Sequence, residues 1–176
     1  MNFQGLNSFG KHKKQNGFSL IDAVLWFALL GIGVAVLYSK FHTSLGSAKS
    51  TAERDTFQIV ISQVKKVYMG GGTATAGDIT ATLIAKGNVF SKPFTVSGTT
   101  VSNAYGGAVT VVDNGSTFTL TSTGYPTDIC TDLAQSPGDW ISVSANGTAL
   151  TMPVNLQAAV TACSTTPNTI AVTSTK

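Results

Sequence analysis

Few side chains in this chain are placed to do chemistry. A basic leader carrying Lys11, His12, Lys13 and Lys14, with no acid, ends at the junction Gly17-Phe18. Residues 18–39 then run apolar with a single charge, Asp22, the fifth residue past the junction. A lone carboxylate in a membrane-length apolar helix is expensive to bury, so its presence points to a task, and the task it fits is assembly. The two cysteines, Cys130 and Cys163, both lie in the C-terminal part. In an oxidising compartment an even pair most simply forms one disulfide, the alternative being two free buried thiols.

Little else is reactive. After the leader one histidine is left, His42, and none lies beyond Gly72 to serve a Ser or Cys as base. Asp113, Asp128, Asp132 and Asp139 are scattered and read as solvated or capping acids, with no metal-ligand cluster. Gly70-Gly71-Gly72 lacks the following Gly-Lys-Ser/Thr of a phosphate loop. The chain therefore reads as a non-enzyme that uses no cofactor. Its formal charge of +3 comes from the leader: without Lys11, Lys13 and Lys14 the 11 basic residues fall to 8 and match the 8 acids. No basic face is left for nucleic acid. Positive charge before an apolar run keeps the leader on the cytoplasmic side and sends everything after Lys40 outward, which agrees with the oxidising compartment.

Those residues need elements to hold them. The 22 residues from Phe18 to Ser39 make a helix of about 33 Å, close to one bilayer core. A cleaved secretory signal ending near Ser47-Ala48 is the simpler alternative, but the run is long for a signal core and carries Asp22 within it. The helical pattern also continues. Phe57, Val60, Ile61, Val64, Val67 and Tyr68 recur at spacings of three and four, with Ala48 and Ala52 extending the stripe backwards. Glu53, Arg54, Asp55, Lys65 and Lys66 supply a polar face, and the three glycines stop the helix near Met69.

Beyond Gly72, alternating segments predict antiparallel strands. Val109, Val111 and Val112 face Phe118 and Leu120 across Asn114-Gly115. Ile141 and Val143 face Leu150 and Met152 across Asn146-Gly147, and Ile170 and Val172 form a last strand. Asn-Gly is the preferred two-residue hairpin signal, so both sites read as turns before glycosylation sequons. Short helices are predicted over Ile79–Ile84 and Thr127–Gln135, and Trp140 is expected in the core with its N–H satisfied. The fold class is α+β, with an antiparallel sheet across the second half of the long N-terminal helix. The divisions are a leader over 1–17, a helix over 18–70 whose part 18–39 spans a membrane or forms a filament core, and a head over 71–176.

Gly17-Phe18-Ser-Leu-Ile-Asp22, followed by the long apolar segment, resembles the type IV pilin family. The motif covers the first quarter of the chain. The resemblance implies cleavage by a prepilin peptidase after Gly17, N-methylation of Phe18, and Asp22 in the role of the usual fifth-position Glu. It also implies a C-terminal disulfide region, which Cys130 and Cys163 fit. A leader of 17 residues is long for the IVa branch and similar to IVb. The pattern around Cys130, Trp140 and Cys163 is similar to pilins of plasmid-encoded thin conjugative pili. Asp22 is one methylene shorter than Glu, Ser39 stands where many pilins have proline, and Phe18 is more typical of IVa.

The implied protein is a major pilin, held in the bacterial inner membrane as a precursor and then built into a helical homo-oligomeric surface filament for adhesion, aggregation or mating contact. Its implied partners are the prepilin peptidase, the assembly ATPase and the inner-membrane platform. A minor pilin, a type II secretion pseudopilin, or a secreted binding module released after Ala48 are the alternatives.

Overall fold

A computed structural model describes residues 20–71 and 75–176, with the side chains of residues 22 and 35–47 outside that description. The chain divides into two compact units, Met1–Thr43 and Ser44–Lys176. Helix α1 (Leu20–Met69) contributes its first part to one and its second part to the other.

In the second unit α1 closes where the N–H groups of Gly70 and Gly71 return to the carbonyls of Lys66 and Tyr68. Then come β1 (Gly77–Asp78), α2 (Thr80–Lys86), β2 (Thr95–Ser97), β3 (Thr100–Ser102), β4 (Ala108–Asp113) and β5 (Thr117–Tyr125). They are followed by α3 (Thr127–Ala134), β6 (Ser142–Ala145), β7 (Thr148–Leu150), α4 (Leu156–Ala162) and β8 (Asn168–Thr175). The strands form one antiparallel sheet in the order β2-β3-β4-β5-β8-β6-β7, with β1 alongside the far end of β4. The fold is α+β. The last strand, β8, lies inside the sheet between β5 and β6.

Alternation along the strands buries one face: Val109 and Val111 on β4, Phe118 and Leu120 on β5, Ile170 and Val172 on β8, Val143 and Ala145 on β6. These residues share one core with Phe57, Val60, Ile61 and Val64 of α1. Tyr68 stacks on Phe118 with ring centroids 6.4 Å apart, and Phe57 meets Phe94 edge-on at 6.1 Å. Fully burying a side chain of this size stabilises the fold by roughly 1.5–3 kcal/mol.

The structure corrects several expectations. Ala48 is exposed and Ala52 half-buried, and the buried face of α1 is extended instead by Ser50, Glu53 and Thr56. Ile141 and Met152 fall outside β6 and β7 and are exposed. Ile141 still donates its N–H to the Thr173 carbonyl at 2.7 Å, while Pro153, which has no N–H to give, directly follows Met152. Trp140 is buried, but its indole N–H has no partner among the described residues. The two Asn-Gly turns differ. Asn146-Gly147 is a two-residue turn with φ of 50° and 79°, closed by the pair Ala145–Thr148. At Asn114-Gly115 only the glycine has positive φ, and the loop is wider, since Asp113 pairs with Phe118. The Asp113 side chain accepts the Gly115 N–H at 2.7 Å and takes over the local turn.

Candidate functional site

The first unit presents an unusual surface. Between Leu20 and Val34 ten large apolar side chains are exposed, from 57% at Leu25 to 83% at Leu20. Val24, Leu25, Trp26 and Phe27 are consecutive, so at 3.6 residues per turn they point to every side of the helix. One neighbouring face cannot cover such a segment; it needs lipid or a ring of other helices. Added Cβ atoms at Gly31 and Gly33 would meet nothing within 4 Å. Among the described residues, no helix is long and apolar enough to cross a membrane. Gly17 and Phe18 lie outside the described residues. Asp22 lies within α1, and its side chain is outside the description.

In the second unit the structure joins Cys130, on α3, to Cys163, which caps the end of α4. Both are fully buried. The bond closes a loop containing β6, β7 and α4 and ties it to the helix that packs on β8.

Two buried acids were hidden in the sequence by polar surroundings. Asp113, read as a solvated acid, is buried at the end of β4. Lys176 Nζ lies 2.7 Å from each of its oxygens, and the Tyr68 hydroxyl donates to Oδ2 at 2.5 Å. Lys176 also sits 4.3 Å from the centre of the Tyr68 ring. This cluster joins the end of β8 to β4 and to the end of α1. The hydrogen bonds from Lys176 and Tyr68 hold the Asp113 carboxyl down to about 2, against the opposing effect of burial. Burial, with Asp113 alongside, pushes the Tyr68 hydroxyl up.

A depressed acid contributes stability above its unfolded value and loses it as pH falls through its folded one. We expect the head to lose on the order of 2 kcal/mol between about pH 4 and pH 2. Asp113→Asn should remove that dependence in acid-unfolding curves.

Glu53, assigned to the polar face of α1, is fully buried. It accepts the Ala104 N–H at 2.7 Å and the Tyr125 hydroxyl at 2.9 Å. Burial pushes its carboxyl up, and those two hydrogen bonds only partly oppose this. Asp128 and Asp132 are exposed on α3, where Ser50 donates to Asp132 at 3.3 Å. Exposed Asp139 pairs with Lys65 at 2.6 Å, a bond of small worth at that exposure.

None of these groups forms a nucleophile–base pair. Among the described residues, no group of three or more His, Cys, Asp or Glu could hold a metal ion. A groove of about 860 Å³ between β7 and α4 is lined by uncharged residues, among them Thr148, Leu150, Met152, Gln157 and Thr161, and offers no acid or base.

A protein-family model described as PilS N terminal matches residues 47–175, beginning after the exposed apolar stretch. No curated protein matches the chain, and no solved structure does.

Proposed function

The chain belongs to the PilS N-terminal family, a type IV pilin-related family, and from that membership we propose that it is the major structural subunit of a type IV pilus. The observation that carries this reading is the helix segment Leu20–Val34, whose ten exposed large apolar side chains point to every side of the helix. A pilin has two covers for such a helix: the bilayer before assembly and neighbouring subunits afterwards.

In this reading a prepilin peptidase removes residues 1–17 after Gly17, and the amine of Phe18 is methylated and stays cationic. Residues 18–39 hold the precursor in the bacterial inner membrane, where the assembly ATPase and platform extract it into a surface filament. Asp22 lies four residues after Phe18, one helical turn away, so its carboxylate is within reach of its own amine or of a neighbour's. In a water-poor filament core an unpaired charge is costly. A pair that must match across subunits sets their axial register, a use for which buried ion pairs are better suited than for net stability. Gly31 and Gly33 weaken the helix by roughly 1 kcal/mol each relative to alanine, which eases local loosening as it leaves lipid. The head, residues 71–176, faces outward for adhesion, aggregation or mating contact.

Intact-mass analysis of sheared surface fibres tests the proposal. The expected species starts at Phe18, carries one methyl group and has both cysteines oxidised. A chain starting at Lys49 overturns it in favour of a secreted module. Recovery of the chain only as a trace component of fibres built from another subunit replaces the major-subunit role with a minor one.

A further inference from the structure

The geometry points to a function for the head separate from assembly: Glu53 is a proton-operated latch between α1 and the shell of turn and strand around it, tighter when the side chain carries a proton. This does not rest on the pilus reading, since every group involved lies in the second unit.

The latch is long-range. Glu53 Oε1 takes the N–H of Ala104, 51 residues away in the turn between β3 and β4, and Oε2 takes the hydroxyl of Tyr125, 72 residues away at the end of β5. Tyr125 reaches it because β5 bulges between Ser122 and Tyr125 and shifts the alternation of side chains. The bulge needs two glycines in contact. A Cβ on Gly107 would lie 1.7 Å from the Thr123 carbonyl oxygen, and one on Gly124, at φ 84°, would lie 2.9 Å from the Gly107 Cα.

Behind Tyr125 the hydrogen bonds run one way. Asn103 Nδ2 donates to Ser122 Oγ at 2.9 Å. Ser122 Oγ lies 2.8 Å from Tyr125 Oη. Since the tyrosine proton goes to Glu53, the serine must donate to the tyrosine. Asn103 Oδ1 is fixed by the N–H groups of Tyr105 and Gly107, both at 2.9 Å, so the amide cannot turn over. All these donors aim at Glu53, and among the described residues no cation pairs with either of its oxygens.

The charged and titratable groups around it come from each packed element. Lys49 of α1 sits 5.7 Å from the centre of the Tyr105 ring rather than on the carboxylate. Burial pushes the Tyr105 hydroxyl up, with Glu53 and then Asp128 and Asp132 of α3 adding to it. Tyr125 of β5 is likewise pushed up by burial and by Glu53. Two opposing effects therefore meet at Glu53: the donor chain favours the anion, and burial without a cation favours the neutral acid. Burial is the larger.

For a carboxyl whose folded value is raised, the stabilisation is complete below the unfolded value and is lost as pH rises through the folded one. The head should therefore tighten as pH falls towards the ordinary carboxyl range. This window lies above the acid loss governed by Asp113.

The test is thermal unfolding of the full chain in mild detergent from pH 8 to pH 5, with infrared difference spectra recording the carbonyl band of a protonated carboxyl group. In the wild type the folding constant is expected to rise as pH falls, by at most about tenfold per pH unit, the limit for one proton. Glu53→Gln should flatten that rise and remove the infrared band. Tyr125→Phe takes a donor from the anion and should move the transition to higher pH. Equal slopes in wild type and Glu53→Gln overturn the inference, as does a wild-type midpoint that falls steadily from pH 8 to 5. If Glu53→Gln does not fold, the decision passes to Tyr125→Phe, and an unmoved transition overturns the inference.

Discussion

Asp22→Ala is expected to abolish surface fibres while leaving the processed precursor at its normal level in the membrane. Removing one partner of a buried ion pair leaves the other charge uncompensated, at about 3–5 kcal/mol. At 1.4 kcal/mol per factor of ten, that is roughly a hundredfold or more in the association of each subunit. A filament multiplies the deficit along its length, so a modest loss per contact becomes a near-total loss of polymer. Asp22→Glu restores the carboxylate one methylene further out and should recover fibres; Asp22→Asn keeps the size, loses the charge and should behave like alanine. Sheared-fibre yield against membrane-fraction immunoblots provides the measurement. Wild-type fibre yield from Asp22→Ala would remove the charge pairing from the mechanism.

Loss of the disulfide is expected to have the largest effect on the head. The bond from Cys130 to Cys163 spans 33 residues. Chain-entropy reasoning gives about 3–4 kcal/mol for a loop of that size. The loop holds β6, β7 and α4, and α3 anchors it against β8. For a head of this size a change of that order lowers the unfolding midpoint by roughly 10 °C or more. The variant Cys130→Ser with Cys163→Ser, compared with wild type in detergent with and without reductant, should show it. Reduced wild type should match the double variant. A midpoint shift of only a degree or two in both would mean that packing around α3 and α4 holds the loop unaided.

Much of this architecture could be read from residue order, and what was missed has a physical pattern. The second half of α1 is legible because Phe57, Val60, Ile61 and Val64 repeat at the helical period. The hairpin at Asn146-Gly147 is legible because two adjacent positive φ angles suit those two residues. Helices α2 and α3 fall within a residue or two of their expected bounds. By contrast, β2 and β3 are three residues each and too short to carry an alternation, and α4, with Ala159 its one fully buried residue, shows no helical stripe.

The two buried acids are the instructive failures. Glu53 is flanked by Ala52 and Arg54, and Asp113 precedes a turn-forming Asn114-Gly115, so each looks like surface. Their burial is decided by partners 51 to 72 residues away, in one case, and 45 to 63, in the other. No local window contains that information. The junction at Gly17-Phe18 and the side chain of Asp22 are the reverse case: they stand out in the sequence, and the proposal that uses them is built on the exposed apolar surface that follows.

The interior position of β8 has one more consequence. Until Asn168–Thr175 has been synthesised, the hairpin of β4 with β5 and that of β6 with β7 have no strand to join them. Each would present a bare ladder of N–H and C=O groups, the kind of edge that recruits other chains. The sheet cannot close before Asn168–Thr175 is in place, so the two hairpins depend on this one segment for their union. A chain truncated before Asn168 should therefore yield aggregates or proteolytic fragments instead of a slightly weakened product.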